Sequence, residues 1–328
     1  MNPVRSSPWL RSTSHRIGKI LPVAVLCLLG AAMMSPCTAR AAYYNTYTTV
    51  DVINNSPNSC NSMQGFDVGS TYVYSIKRNS DDSKAVIYRT NMSDGTTTLM
   101  TNGDNGTNYA TYLGHGNDLS LKSINGDYYM FVATLPDTSG VVNLVKVKYV
   151  GTTYYKIGTY TVKYNGADLA VSGVKDTSAD ASNIYFLFKK GTKYYRGSLP
   201  LTANSGAINV SLGFTINIVD ALVDGSKISG IDGWNHQGYA YSSAKNRIYH
   251  VLTEPGGNVS VILVYNNIST ASGTITSDPN LSFRITSGTY AHFEIEGCGI
   301  GPDKKLWFNT DRSDDNDGVH YFDGFVEN

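Results

Sequence analysis

After its first 41 positions this 328-residue chain has almost no helical periodicity. Its apolar residues come in short alternating or continuous runs of β-branched and aromatic side chains, so strand is the reading throughout. Catalytic signatures are missing too. No Gly-x-Ser-x-Gly, His-Glu-x-x-His, Walker loop or dinucleotide fingerprint occurs, which removes the best-marked enzyme and cofactor classes. Lysines and arginines form no basic stripe interleaved with aromatics, so nucleic acid is excluded as a partner. No basic amphipathic helix is present, which argues against membrane disruption of the short-peptide kind.

What opens the chain is a leader. Residues 1–41 carry Arg5, Arg11, Arg16, Lys19 and Arg40 with no acid, and the apolar stretch at 20–34 is shorter than the roughly 20 residues that span a bilayer. Ala39-Arg40-Ala41 then supplies small residues at the two positions a signal peptidase reads. The expectation is cleavage after Ala41, secretion, and a mature domain at 42–328 with no transmembrane segment. Of 26 basic residues 5 lie in the leader, leaving 21 against 26 acids, or about −5. Cysteine is scarce: of four, only Cys60 and Cys298 remain after cleavage. Both sit beside polar clusters of the first and last repeats and, in an oxidising exterior, are expected to be bonded to each other.

Those repeats are the main positive signal. Gln64-Gly65-Phe66-Asp67, His115-Gly116-Asn117-Asp118, Ser172-Gly173-Val174, His236-Gln237-Gly238 and Glu294-Ile295-Glu296-Gly297 each precede a β-prone run. Their glycines stand 51, 57, 65 and 59 positions apart, which suits one four-stranded sheet per unit. The reading is an all-β, five-bladed β-propeller. Strands are expected at 72–76, 85–89 and 96–100 in the first unit, and at corresponding places in the next three. The fifth unit, with strands at 306–309 and 319–322, is one strand short. The alternating segment 46–53 lacks a partner, so the propeller is expected to be closed by this N-terminal strand. A two-domain β-sandwich is the alternative, because strand spacing alone does not separate the two.

A closed ring would gather the polar residues beside the repeat glycines: Gln64, Asp67, His115, Asn117, Asp118, His236, Gln237, His292, Glu294 and Glu296. Residues two apart on a strand share a face, so His292, Glu294 and Glu296 should point together, as should His115 and Asn117. Three roles are open for this axial ring: solvating a channel and fixing turns, binding a sugar or a cation, or acid–base catalysis by a pair such as Asp118 and Glu294. No cofactor is required; a bound cation at the axis is compatible with the residues. Ser313-Asp314-Asp315-Asn316-Asp317-Gly318 resembles a calcium loop but lacks the bidentate Glu, Gly324 standing in its place, and reads as an acidic hairpin turn.

In Met63-Gln64-Gly65-Phe66-Asp67, Gly114-His115-Gly116-Asn117-Asp118-Leu119, Asn235-His236-Gln237-Gly238 and His292-Phe293-Glu294-Ile295-Glu296-Gly297 the chain resembles the helveticin J family of bacteriocin-like secreted proteins of Gram-positive bacteria. These stretches spread over nearly the whole mature chain. The resemblance implies a β-propeller, secretion and antibacterial action at the cell envelope of related species, and it carries over no catalytic residue. The alternatives are a non-killing module that binds a cell-wall glycan and a propeller glycoside hydrolase. In each case the partner is a bacterial envelope component, glycan or surface receptor, and the protein acts as a monomer.

Overall fold

The computed structural model describes residues 46–136, 143–286, 291–313 and 317–327. The expected leader and its cleavage point at Ala41 fall outside them, as do residues 314–316 of the acidic turn. Strand β1 (Tyr47–Val52) comes first. A four-stranded antiparallel meander follows, β2 (Ser62–Val68), β3 (Tyr72–Arg78), β4 (Ala85–Asn91) and β5 (Thr97–Leu99), then the short β6 (Thr101–Asn102). The second meander is β7 (Asp118–Ile124), β8 (Asp127–Ala133), β9 (Leu144–Val150) and β10 (Thr153–Tyr164), trailed by β11 (Ala167–Asp168). The third is β12 (Gly173–Ala179), β13 (Asn183–Lys190), β14 (Lys193–Pro200) and β15 (Ser205–Asn217), followed by the hairpin β16 (Leu222–Val223) and β17 (Ser226–Lys227).

The fourth meander holds β18 (Asn235–Ser242), β19 (Arg247–Thr253), β20 (Val259–Asn266) and, after β21 (Thr274–Thr276), β22 (Phe283–Thr286). The last is β23 (Phe293–Ile300), β24 (Leu306–Arg312) and β25 (Gly318–Phe322), and its outer strand is β1, antiparallel to β25 from Tyr47↔Phe322 to Val52↔Gly318. The N-terminal strand therefore closes the sheet that lacked one. The second and third meanders also touch edge to edge, β10 running parallel to β15 from Thr159↔Ser205 to Tyr164↔Val210.

Local sequence explains these elements. Asn125 and Gly126, with φ of 52° and 87°, make the tight turn between β7 and β8 that twisted hairpins favour. Strand β20 reads Val-Ser-Val-Ile-Leu-Val-Tyr-Asn and is buried on both sides from Ser260 to Tyr265. A continuous apolar run, rather than alternation, is what a sheet covered on both faces requires.

Five apolar clusters fill the spaces between consecutive meanders. Ile76 and Ile87 meet Leu119 and Val132; Phe131 and Leu144 meet Val174 and Phe186; Leu187 and Tyr194 meet Tyr239 and Leu263; Val251 and Ile262 meet Phe293 and Phe308. The fifth joins last to first, with Trp307 and Val319 against Met63, Phe66 and Val86. Each large side chain so buried contributes about 1.5–3 kcal/mol. Their cyclic order makes this an all-β, propeller-like fold.

The repeat glycines mark where first strands approach backbone to backbone. The Gly65 N–H donates to Gly116 O at 2.9 Å, and a Cβ on Gly65 would lie 2.5 Å from that same oxygen. A Cβ on Gly238 would lie 2.8 Å from Glu296 O. Gly65→Ala is expected to destabilise the fold by about 1–3 kcal/mol through overpacking. It should lower the urea midpoint at constant m; an unmoved midpoint would mean that these backbones are not in contact.

The expected Cys60–Cys298 bridge does not form. Both thiols are free and buried. Cys60 lies in the cluster joining last to first meander, its thiol 3.5 Å from Lys84 O, whereas Cys298 lies in the preceding cluster, 3.5 Å from Tyr249 O. Neighbouring sheets in a ring do not bring two thiols together when each points into a different intersheet space.

Candidate functional site

Aligned on their glycines, the five clusters place Asp67, Asp118, Lys175, Ala240 and Gly299 two positions after the glycine. The first three meet. Lys175 Nζ donates to Asp118 Oδ1 at 2.9 Å, to Phe66 O at 2.9 Å and to Leu119 O at 2.5 Å, and lies 3.7 Å from Asp67 Oδ1. Asp118 also accepts from the backbone N–H of Val174 and of Leu119 at 3.0 and 2.9 Å, and Asp67 from that of Leu121 at 2.8 Å. Burial pushes the Asp118 carboxyl up to about 6 despite the attraction of Lys175. Burial opposes the charge of Lys175 as well, but the two carboxylates outweigh it and raise its pKa. Where a bound cation at the axis was one expectation, the protein's own ammonium sits among the carboxylates. Among the described residues no group of three metal-ligating side chains occurs.

One residue before the glycine, Gln64, Gln237 and Glu296 occupy β-bulges, where the register shifts between Met63 and Phe66, His236 and Tyr239, and Ile295 and Gly297. An extra residue re-aims side chains: near the starts of the first strands Gln64 and Glu296 turn inward, 5% and 3% exposed, while Gln237 stays partly exposed. Gln237 Nε2 donates to Glu294 Oε1, while His292 Nε2 is 3.3 Å from Glu294 Oε2. Gln64 Nε2 donates to Ser62 Oγ at 3.3 Å, and Ser62 Oγ donates to Asp311 Oδ2 at 2.9 Å. Asp317, held by Lys77 Nζ at 2.8 Å and by the Arg312 N–H at 3.0 Å, flanks Asp311. Burial and then the charge of Asp317 push Asp311 up to about 8. Glu296 is 3% exposed and accepts no hydrogen bond among the described residues. Burial, followed by Glu294, Asp311 and Asp317, holds its carboxyl well above the ordinary value.

The remaining ring candidates fasten neighbouring meanders. Asn117 Nδ2 donates to Ser172 O at 2.6 Å, and His115 Nδ1 lies 3.0 Å from Asp82 Oδ2 on the β3–β4 turn. His236 Nδ1 meets His250 Nε2 at 2.9 Å, and His250 Nδ1 meets the Tyr194 hydroxyl at 2.6 Å. Burial first, then Lys189, lowers His236 to about 4. The buried Lys189, lowered by burial to about 8, donates to Gln237 O.

The ten candidates thus divide. Gln237, His292 and Glu294 bond to one another, Gln64 reaches Asp311 through Ser62, and Glu296 is buried beside them; Asp67 and Asp118 surround Lys175; His115, Asn117 and His236 are latches. Asp118 is completely buried, so it and Glu294 are not a substrate-facing pair. His292, Glu294 and Glu296 do not share one face, because Glu296 is the bulged residue. Asp311, Ser62 and Lys175 were missed. Lys175 could have been found by aligning the clusters on glycine, whereas Asp311 lies at the end of a second strand with no local mark.

No family model and no curated protein matches the chain. Solved structures do. A β-xylosidase superposes with a TM-score of 0.48 at 9% identity, covering 84% of this chain and 94% of its own. A GH43_1 enzyme from Xanthomonas citri, complexed with xylose, gives 0.47 at 7%, covering 85% and 90%. Regucalcin, a calcium-binding protein from Agrobacterium tumefaciens, gives 0.39 at 11%, covering 87% and 97%. At such identities and TM-scores the likeness carries no argument about what this chain does.

Proposed function

We propose that the chain is a five-bladed β-propeller, secreted, that hydrolyses glycosidic bonds of a cell-envelope glycan at the polar cluster of Glu294, Asp311, Gln64, Gln237 and His292. Five interlocked meanders and five intervening apolar clusters support the blade count. One observation carries the chemistry: Glu294 and Asp311 stand opposite each other on β23 and β24, where burial and the charge of Asp317 raise the Asp311 carboxyl above its ordinary value. A carboxyl that holds its proton at pH 7 can protonate a leaving oxygen. Glu294, engaged by Gln237 and His292, is the partner that acts as base or nucleophile, completing the two-carboxyl arrangement glycoside hydrolysis uses. Amide and imidazole groups around the pair suit sugar hydroxyls.

The test is a panel of aryl glycosides, xylan and isolated peptidoglycan, scored for released sugar, with retention on peptidoglycan and viability of indicator cells measured in parallel. Release by the wild type, lost in a folded Glu294→Gln variant, is the expected result. Retention without release would replace hydrolysis with plain glycan binding. Killing without release would return the bacteriocin-type reading, which stands on the sequence resemblance alone.

A further inference from the structure

At the other ends of the first strands, where β2 and β7 finish, a cavity of about 460 Å³ opens between the first two meanders. Its size is that of a small-ligand site. Its walls are tyrosine: Tyr72 and Tyr74 from β3, Tyr128 from β8 and Tyr149 from β9. The Tyr149 ring lies 5.1 Å from that of Tyr74 and 5.8 Å from that of Tyr128. Tyr128 is 53% exposed, an unusual cost for a large ring that packing alone would cover. Beside them the Arg89 guanidinium lies 4.4 Å from the centre of the Tyr72 ring and donates through Nη1 to Gly151 O at 2.8 Å. Its Nε is buried with no acceptor among the described residues. The ammonium of Lys122, also in the wall, is already neutralised by Asp176 at 2.5 Å.

We infer that this cavity is a second carbohydrate site, at the opposite ends of the first strands from Gln64 and Glu294, that holds a pyranose unit of the glycan whose hydrolysis is proposed above. Tyrosine faces accept the apolar face of a sugar ring, and the Arg89 guanidinium, held over Tyr72, offers its N–H groups to hydroxyl oxygens. The choice of ligand class rests on the hydrolase reading; the existence of the site rests on the cavity, its exposed Tyr128 ring and the Arg89 guanidinium in its wall.

Titration calorimetry of the full chain, in a Glu294→Gln background that leaves oligosaccharides uncut, would use the hexamers of N-acetylglucosamine and of β-1,4-linked xylose as probes. Binding of at least one hexamer is expected. It should weaken tenfold or more in Tyr128→Ala and persist in Tyr128→Phe, because the ring and not the hydroxyl makes the contact. Tyr128→Ala alone should turn over a short aryl glycoside as the wild type does. Equal binding by the Ala and Phe variants, or no binding of either hexamer, would overturn the site. Failure of hydrolysis alongside Tyr128-dependent binding would overturn only the hydrolase reading.

Discussion

Replacing Lys175 with methionine is expected to cost about 3–5 kcal/mol of stability, because it strands two carboxylates in a space from which water is excluded. For a chain of this size that corresponds to a fall in Tm on the order of 10 °C. Methionine keeps most of the volume, so the loss reports charge rather than a cavity. The pH dependence gives a second readout. The Asp118 carboxyl stands at about 6 in the folded protein against an ordinary 3.8, so the native state takes up its proton first. Stability from this group therefore falls as pH rises from about 4 to about 6, and is level above that. Without Lys175 the fall should extend to higher pH, making the variant comparatively better at pH 5 than at pH 7. The combined Asp67→Asn, Asp118→Asn and Lys175→Met variant should recover part of the loss. A Lys175→Met protein that melts like the wild type at neutral pH would show that the carboxylates find another partner.

Asp311→Asn should lower turnover of an unactivated glycoside by about 10²–10⁴-fold, the range spanned by a lost general acid. An aryl glycoside, whose leaving group departs with little protonation, should suffer less. Because Asp311 works protonated and stands near 8, the acid-dependent rate of the wild type should decline as pH rises through about 8. The substitution should affect stability in the opposite sense to activity. A carboxyl whose folded pKa is raised destabilises the native state as pH rises from about 4 to 8, so Asp311→Asn should melt no lower than the wild type at pH 8. Asparagine can still accept from Ser62. Equal losses on both substrates, or a pH profile the substitution leaves unaltered, would remove Asp311 from the acid role.

Much of the architecture was legible because strands and glycines carry it locally. Alternating segments named the strands, and the repeat glycines stand where a Cβ would collide with the next sheet, as at Gly65 against Gly116 O and Gly238 against Glu296 O. Counting unpaired edges was enough to assign β1 to the last sheet. Side-chain destinations were not legible, for three physical reasons. Bulges at Gln64, Gln237 and Glu296 break the two-residue period from which faces were inferred, so Glu296 sinks while Glu294 keeps some contact with solvent. His115 and His236 precede similar glycines, yet one bonds an aspartate on a hairpin turn and the other a second imidazole. Cys60 and Cys298 are adjacent only in ring order, which fixes neither distance nor direction.

Because β1 pairs with β25 across 275 positions, Tyr47 opposite Phe322, the segment that a ribosome delivers early finds its place only after the last hairpin has been made. Until then β23, β24 and β25 form a three-stranded sheet with a bare edge, and β1 is a loose ribbon with bare edges of its own. Closing so long a loop carries a large entropic penalty and sets the pace of topologies rich in distant pairings. The final step in assembly is thus a clasp between the two extremities of the domain. A nascent chain arrested before residue 318 should remain open to proteases at β1 even when its first four meanders are already protected.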